Sequence, residues 1–205
     1  SDEELATFRR QFSALAQLAE PSLEVSSEQC LPLAIGRFQI LKRLGSGNYG
    51  CVYLAHDSRL TRNVAIKVSN VGAHSSQEMR HRFISEAHAA ARMAHQNVVC
   101  LHEYGEEQGL LYLVYEMCEG PTLEDWLCAQ TSPIPLPAAA AIAREIAHGL
   151  AHAHERGLVH RDVKPNNVLL PSNSDERSSL PFTPRITDFG LAHDSMAIEQ
   201  KSLSA

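Results

Sequence analysis

The feature that most limits the fold is the glycine cluster Gly45-Ser46-Gly47-Asn48-Tyr49-Gly50, because strand-like runs flank it on both sides. Phe38-Gln39-Ile40-Leu41 precedes it and Cys51-Val52-Tyr53-Leu54-Ala55 follows it, and both are rich in the aromatic and branched residues that suit a pleated surface. A Gly-x-Gly-x-x-Gly of the dinucleotide-binding kind stands between a strand and a helix. A strand on either side makes this cluster the tip of a hairpin and excludes a doubly wound sheet at this point. Glycines at such a tip either serve turn geometry alone or let the hairpin lie close over phosphates and offer them backbone N–H groups.

A third strand is expected over 63–68, and Ser75-x-x-Glu78 supplies a capping box for a helix running to about Met93. Two more strands, at 98–104 and 110–116, are joined by the turn Gly105-Glu106-Glu107-Gln108-Gly109. The pattern then changes. Thr122-x-x-Asp125 caps a short helix containing Trp126, and Pro137 opens a long one whose buried face is marked by Ile142, Ile146, Leu150 and Ala153 before Gly157 stops it. A sheet-rich first part followed by a helical second part is an α+β arrangement. Ahead of it, Leu5, Phe8, Phe12, Leu15 and Leu18 form one apolar stripe on an amphipathic helix over 3–19, and 20–34 reads as a linker. The expected organisation is an N-terminal helix and linker over 1–34 and a main domain over 35–205, with the helix serving as a dimer or regulatory contact.

Composition narrows the function. With 18 Lys+Arg against 24 Asp+Glu the formal net charge is −6, which provides no electrostatic footprint for a nucleic-acid backbone or an anionic membrane. Nucleic acid is therefore not an expected partner. The five cysteines, Cys30, Cys51, Cys100, Cys118 and Cys128, form no C-x-x-C pair, so neither a disulfide framework nor a zinc site is indicated and a reducing cytoplasm fits. No apolar run is long enough to cross a membrane, and the acidic start lacks the basic residues of a signal peptide. The chain begins without Met and reads as a piece of a longer protein, cytoplasmic or the cytoplasmic part of a membrane-anchored one.

The densest chemistry lies in His160-Arg161-Asp162-Val163-Lys164-Pro165-Asn166-Asn167, with Thr187-Asp188-Phe189-Gly190 about twenty residues later. Apolar Leu158-Val159 and Val168-Leu169-Leu170 hold the first segment at both ends, so its polar groups are displayed on a fixed loop. Asp162, Asp188 and Asn167 offer hard oxygens in the small number suited to Mg²⁺, which completes its shell from water and substrate phosphates. Lys67 follows Val64-Ala65-Ile66, and Glu86 lies on the capped helix. As an exposed ion pair the two would contribute only ~0.5 kcal/mol. Against that reading, the chain has 14 Arg and only 4 Lys, and a compact ammonium suits a point contact to phosphate better than Arg's broad fork. The pair His148/His152 could ligate metal at i, i+4 spacing, but no third ligand is in register and these read as surface histidines.

The ordered set of Gly-rich hairpin, Val-Ala-Ile-Lys, helical Glu, His-Arg-Asp-x-Lys-x-x-Asn and Asp-Phe-Gly resembles the eukaryotic-type (Hanks-type) protein kinase family over about 35–192. The Asp162-Val163-Lys164-Pro165 form is similar to the serine/threonine subgroup, and the Arg- and Ala-rich composition is similar to bacterial members. The resemblance implies a two-lobed α+β fold with a five-strand small lobe over about 35–117, the first part of a helical large lobe over about 118–205, and ATP with Mg²⁺ bound between them. It implies phosphorylation of serine/threonine hydroxyls on protein substrates. In that reading Asp162 is the catalytic base, Lys164 neutralises charge on the γ-phosphoryl group, and Asn167 and Asp188 hold the metal. Lys67, steadied by Glu86, contacts the α- and β-phosphates beneath the loop of Gly45, Ser46, Gly47, Asn48, Tyr49 and Gly50. Leu44, Val52, Ala65 and Leu169 sandwich the adenine, Cys51 and Cys118 lie near the nucleotide, Tyr115 is the gatekeeper, and the backbone of Glu116 and Cys118 forms the hinge. Several departures stand out. His95-Gln96-Asn97 has Gln where the family usually has Pro, and 171–183 reads as an inserted surface loop. No Ala-Pro-Glu follows Gly190 in the remaining 15 residues, which implies a domain cut short and leaves a nucleotide-binding pseudokinase or scaffold as the alternative.

Overall fold

The computed structural model describes residues 34–47, 50–69, 77–107, 109–172 and 180–189. They fall into two compact units. A sheet unit takes the described residues of 34–94 together with Cys100–Met117, and a helical unit takes His95–Val99 and Cys118–Asp188. The expected helix over 3–19, its linker, Cys30 and the cap residue Ser75 lie outside the described residues.

The sheet unit is a six-stranded antiparallel sheet of β1 (Ala34–Ile35), β2 (Phe38–Gly47), β3 (Gly50–Asp57), β4 (Arg62–Ser69), β5 (Leu101–Glu107) and β6 (Leu110–Glu116), in the order β1-β2-β3-β4-β6-β5. Helix α1 (Gln77–Ala90) follows β4. The sheet has one strand more than the five expected, because the two residues of β1 fold back on β2 through Gly36 and Arg37. Phe38, Ala55, Val64, Ile66 and Val114 are buried on one face with Ile35 and Tyr112. Tyr112 meets Phe38 edge to face at 6.2 Å between ring centroids, a geometry favoured by the ring quadrupoles. The unbroken apolar run of β6 is buried from Leu111 to Tyr115, as expected of a strand covered on both faces.

One expected strand shifts. The run placed at 98–104 starts only at Leu101, because Val98 pairs instead with Ile186 of the helical unit and the Val99 N–H donates to the Ile186 carbonyl at 2.9 Å. At the other end β5 runs on to Glu107, with Gly105 inside the strand opposite Tyr112, so the hairpin turn is tighter than the five residues expected.

In the helical unit, α2 (Leu123–Cys128) carries the expected capping box. The Asp125 N–H donates to Thr122 Oγ1 at 3.0 Å, and the Thr122 N–H donates back to Asp125 Oδ2 at 3.2 Å. Helix α3 (Leu136–His154) has Pro137 in its first turn and buries Ala138, Ala141, Ile142, Gly149 and Ala153, while Ile146 and Leu150 are only half-buried. Gly157, at φ 74°, ends it with a Leu158 N–H to Ala153 carbonyl bond of 3.0 Å. A 3-10 turn (Pro165–Asn167) leads into β7 (Val168–Leu169), which pairs with β8 (Arg185–Ile186). The segment expected to be a surface loop over 171–183 is not surface throughout: Leu180 and Phe182 are buried, and Phe182 meets Trp126 edge to face at 5.5 Å. A Ser172–Phe182 bridge and a Thr183 N–H to Pro171 carbonyl bond of 3.1 Å close the loop at its base, so its ends are core even though its middle is polar.

A buried carboxylate ties the turns of the sheet unit together. Asp57, with no exposed surface, accepts Arg37 Nε and Nη2 at 3.2 Å each, and its Oδ1 also accepts the N–H groups of Arg59 and Leu60 at 3.0 and 3.2 Å. Arg37 Nη2 continues to Glu103 Oε2 at 2.7 Å. These donors, Arg37 foremost, hold the Asp57 carboxyl below its ordinary range against the opposing effect of burial. Asp57→Ala is expected to destabilise the chain by about 2–3 kcal/mol, less than the ~3–5 kcal/mol of a fully buried pair because Arg37 keeps contact with water. Because the folded chain lowers the Asp57 pKa, its contribution is complete above about pH 4 and is lost as the pH falls through the lower folded value. Urea unfolding of the chain and of Asp57→Asn at pH 7 and at pH 3 is expected to show a stability gap that narrows at the acid end.

Candidate active site

The loop that displays the polar segment is held by its own backbone. His160 is buried and its Nε2 donates to the Thr187 carbonyl at 2.8 Å, while its Nδ1 accepts the Asp162 N–H at 3.3 Å. That second bond fixes the tautomer, since a backbone N–H can only donate. The Thr187 N–H in turn donates to the Asn167 carbonyl at 3.0 Å. Thr187 is thus gripped from both sides, and Asp188, the next residue, sits at φ 63°. Arg161 has φ 66° and is exposed. Two non-glycine residues in the left-handed region flank the polar groups, a strain that persists only where the surroundings fix it.

Asp162, Lys164 and Asn167 come together on this loop. Lys164 Nζ donates to Asp162 Oδ2 at 2.8 Å, and Asn167 Nδ2 donates to the Asp162 carbonyl at 2.8 Å and to its Oδ2 at 3.2 Å. Both side-chain contacts fall on Oδ2, so among the described residues Oδ1 of Asp162 carries no hydrogen bond. The Lys164 contact, aided by Asn167, holds the carboxyl below its ordinary range although partial burial pushes the other way. The carboxylate is ionised at neutral pH and presents one open oxygen.

A divalent ion fits what remains. The Asn167 amide is buried and spends its Nδ2 on Asp162, which leaves Oδ1 as its polar atom for a ligand. Asp188 adds a carboxylate. Among the described residues no group of three or more His, Cys, Asp or Glu could hold a metal. One amide oxygen and one carboxylate form the sparse donor set that suits an ion completed by phosphates and water. The histidines of α3 form no such cluster, and His152 is half-buried rather than a surface residue.

The sheet unit arranges the other candidates in register. Val52 lies opposite Lys67 and Ala65 opposite Tyr115, so Val52, Ala65, Lys67 and Tyr115 share one face, the reverse of the Phe38 core. Lys67 is 7% exposed on that face. Cys51 lies opposite Val68, which packs on the core, and its side chain is therefore turned to the other face from Val52. Gly45, Ser46 and Gly47 end β2 and pair with Val52, Cys51 and Gly50. A side chain at Gly50, at φ 132°, would place Cβ 1.8 Å from the Val68 carbonyl oxygen, so only glycine fits there. Leu44 occupies a bulge between Arg43 and Gly45 and is exposed. Glu116 ends β6, where its N–H donates to the Cys100 carbonyl at 2.9 Å. Leu169 is on β7 and Cys118 begins the longer segment of the helical unit. Glu86 falls on α1, but its side chain, like Asn48 and Tyr49, lies outside what the structure describes, and so does the expected Lys67–Glu86 contact.

The anchoring role of His160 was not assigned from the sequence, although one polar ring between Val159 and Arg161, with apolar neighbours upstream, is a signal for a buried, partnered histidine. Because Lys164 is the main cause of the lowered Asp162 pKa, Lys164→Met is expected to return the carboxyl titration toward the ordinary 3.8. Carbon NMR of the Asp162 carboxyl reads this directly, and an unchanged midpoint would dissociate Lys164 from its ionisation.

The protein kinase domain family matches residues 38–203. The chain is 38% identical over 157 residues to the serine/threonine-protein kinase PrkC of Bacillus subtilis, covering 77% of this chain and 23% of that protein. It is 38% identical over 169 residues to the serine/threonine-protein kinase PknF of Mycobacterium tuberculosis, covering 79% and 34%. It therefore spans between about a quarter and a third of the length of these relatives. The crystal structure of the Mycobacterium tuberculosis PknI kinase domain superposes with a TM-score of 0.64 at 30% identity, over 78% of this chain and 62% of that one. The family match spans the Gly-rich hairpin, the buried strand lysine and the aspartate loop fixed by a histidine: the chain belongs to the protein kinase domain family, and these relatives are bacterial serine/threonine kinases.

Proposed function

We propose that this domain transfers the γ-phosphoryl group of ATP to serine or threonine hydroxyls of protein substrates, with magnesium as its divalent ion. The observation that carries the reading is the Asp162 carboxylate, held on Oδ2 by Lys164 and Asn167 with Oδ1 left open. An ionised carboxylate so placed accepts or orients the proton of an acceptor hydroxyl. Lys164 offers its ammonium to the oxygens of the transferred group, and Asn167 Oδ1 with Asp188 holds the metal. When bound, that ion would supply positive charge that neutralises what develops on the phosphate oxygens. Lys67 serves the α- and β-phosphates, the backbone of Gly45, Ser46, Gly47 and Gly50 covers them, and Leu44, Val52, Ala65 and Leu169 flank the adenine, whose edge meets the backbone of Glu116 and Cys118. Phosphoryl transfer asks for positioning and charge stabilisation more than for covalent chemistry. A cytoplasmic setting is supported by the four described cysteines, which are reduced and outside any disulfide.

The roles separate experimentally. Lys67→Met and Asp188→Ala are expected to weaken calorimetrically measured binding of Mg²⁺·ATP by about tenfold or more, the worth of a charge-assisted contact. Asp162→Asn is expected to leave that binding within about twofold and to lower transfer of label from ATP to a serine/threonine acceptor protein by roughly 10²–10⁴-fold. Equal losses of binding in all three variants would show that the assignment is wrong.

A further inference from the structure

The segment His95–Val99 belongs to the helical unit although helix α1 before it and strand β5 after it belong to the sheet unit. Its attachment is polar and close. Fully buried Asn97 donates from Nδ2 to the Pro184 carbonyl at 2.9 Å and to Glu145 Oε2 at 3.2 Å, and its own carbonyl accepts the Ile186 N–H at 2.9 Å. On α3 that carbonyl rests against Gly149, where a Cβ would come within 2.8 Å of it. The segment and β8 thus hold one another two residues before Asp188.

His95 sits at the start of this attachment. Its Nδ1 accepts the Asn97 N–H at 3.1 Å. Its ring lies 4.8 Å from that of His152 on α3, tilted by 37°. The Nε2 of His152 is buried with no hydrogen-bond partner among the described residues. A neutral His95 can keep a lone pair on Nδ1 for Asn97, but an imidazolium carries hydrogen on both nitrogens, and its Nδ1–H would point at the Asn97 N–H. Charging His95 therefore breaks the bond that shapes the turn and sets a cation against a second imidazole.

We infer that His95 is a pH-sensitive latch: the neutral ring holds the His95–Val99 segment on α3 and β8, and the protonated ring releases it. The charged and titratable groups that act on His95 are His152, His148 and Glu145 of α3 and Arg156 just beyond it. Burial foremost, then His152 and His148, disfavour the imidazolium, with Arg156 adding to them and Glu145 opposing. The folded chain thus lowers the pKa of His95. The attachment is complete above the ordinary value of about 6.5 and weakens as the pH falls toward the lower folded value. This inference stands independently of the phosphotransfer reading.

Hydrogen exchange of the Val99 and Ile186 amides, both of which donate within this attachment, reads it. Their protection relative to the free-peptide rate is expected to fall by up to about tenfold per pH unit below pH 6.5, the limit for one linked proton. In His95→Asn, whose Oδ1 takes the place of Nδ1 as acceptor and does not titrate, protection is expected to stay level over the same range. NMR titration of the His95 ring is expected to give a midpoint below 6.5 that rises in His152→Gln. Equal pH dependence in the chain and in His95→Asn would overturn the latch, as would a His95 midpoint at or above 6.5.

Discussion

The polar loop of the helical unit is anchored on the backbone of one residue, Thr187. Its carbonyl receives His160 Nε2 and its N–H reaches the Asn167 carbonyl, so two stretches twenty residues apart are joined by a pair of bonds across a single residue. Each bond joins half-buried Thr187 to a buried residue, His160 or Asn167, for which an unmade partner costs about 1–3 kcal/mol. Together they decide where Asp188 begins and which way Asn167 turns its amide. The same histidine receives the Asp162 N–H on its other nitrogen, so Asp162, Asn167 and Asp188 share one scaffold built on the His160 ring and the Thr187 backbone. The polar side chains are then spared for chemistry.

The sheet unit solves its problem with shape and register. Val52, Ala65, Lys67 and Tyr115 fall on one face because antiparallel partners alternate strictly, and a slip by one residue would send Lys67 into the Phe38 core. The β3–β4 pairing is uninterrupted from Gly50–Ser69 to Asp57–Arg62. Gly50 lets β3 approach the Val68 carbonyl at one end, and Asp57 gathers the turn at the other. Register is thereby pinned at both ends of the hairpin that carries Lys67.

Most of this was legible in the sequence for reasons that are local. A glycine cluster between two strands can be little else than a hairpin tip, and Thr122-x-x-Asp125 caps its helix through atoms three residues apart. The Asp162, Lys164 and Asn167 contacts span five residues or fewer, so spacing alone brings them together. What sequence reading misplaced was decided by distant partners. Val98 left the strand pattern it fits because Ile186, 88 positions away, offers it a bridge. Leu180 and Phe182 were hidden in a polar stretch until Trp126 supplied a surface to bury them against. The pairing of His95 with His152 joins a loop to the far end of α3, and no periodicity announces it.

The distribution of lysine and arginine follows from what each carboxylate must do next. Arg37 lays its Nε and Nη2 along both oxygens of Asp57, a forked grip that satisfies a group with no further task. Asp162 is held differently: a guanidinium across both oxygens would close Oδ1, the atom that the proposed acceptor hydroxyl would use. Lysine brings one compact charge, and Lys164 places it on Oδ2 only, with Asn167 on the same oxygen. The carboxylate is kept ionised and oriented while Oδ1 stays open. In a chain that otherwise prefers arginine by 14 to 4, the lysine at this position is the choice that leaves Oδ1 of Asp162 open.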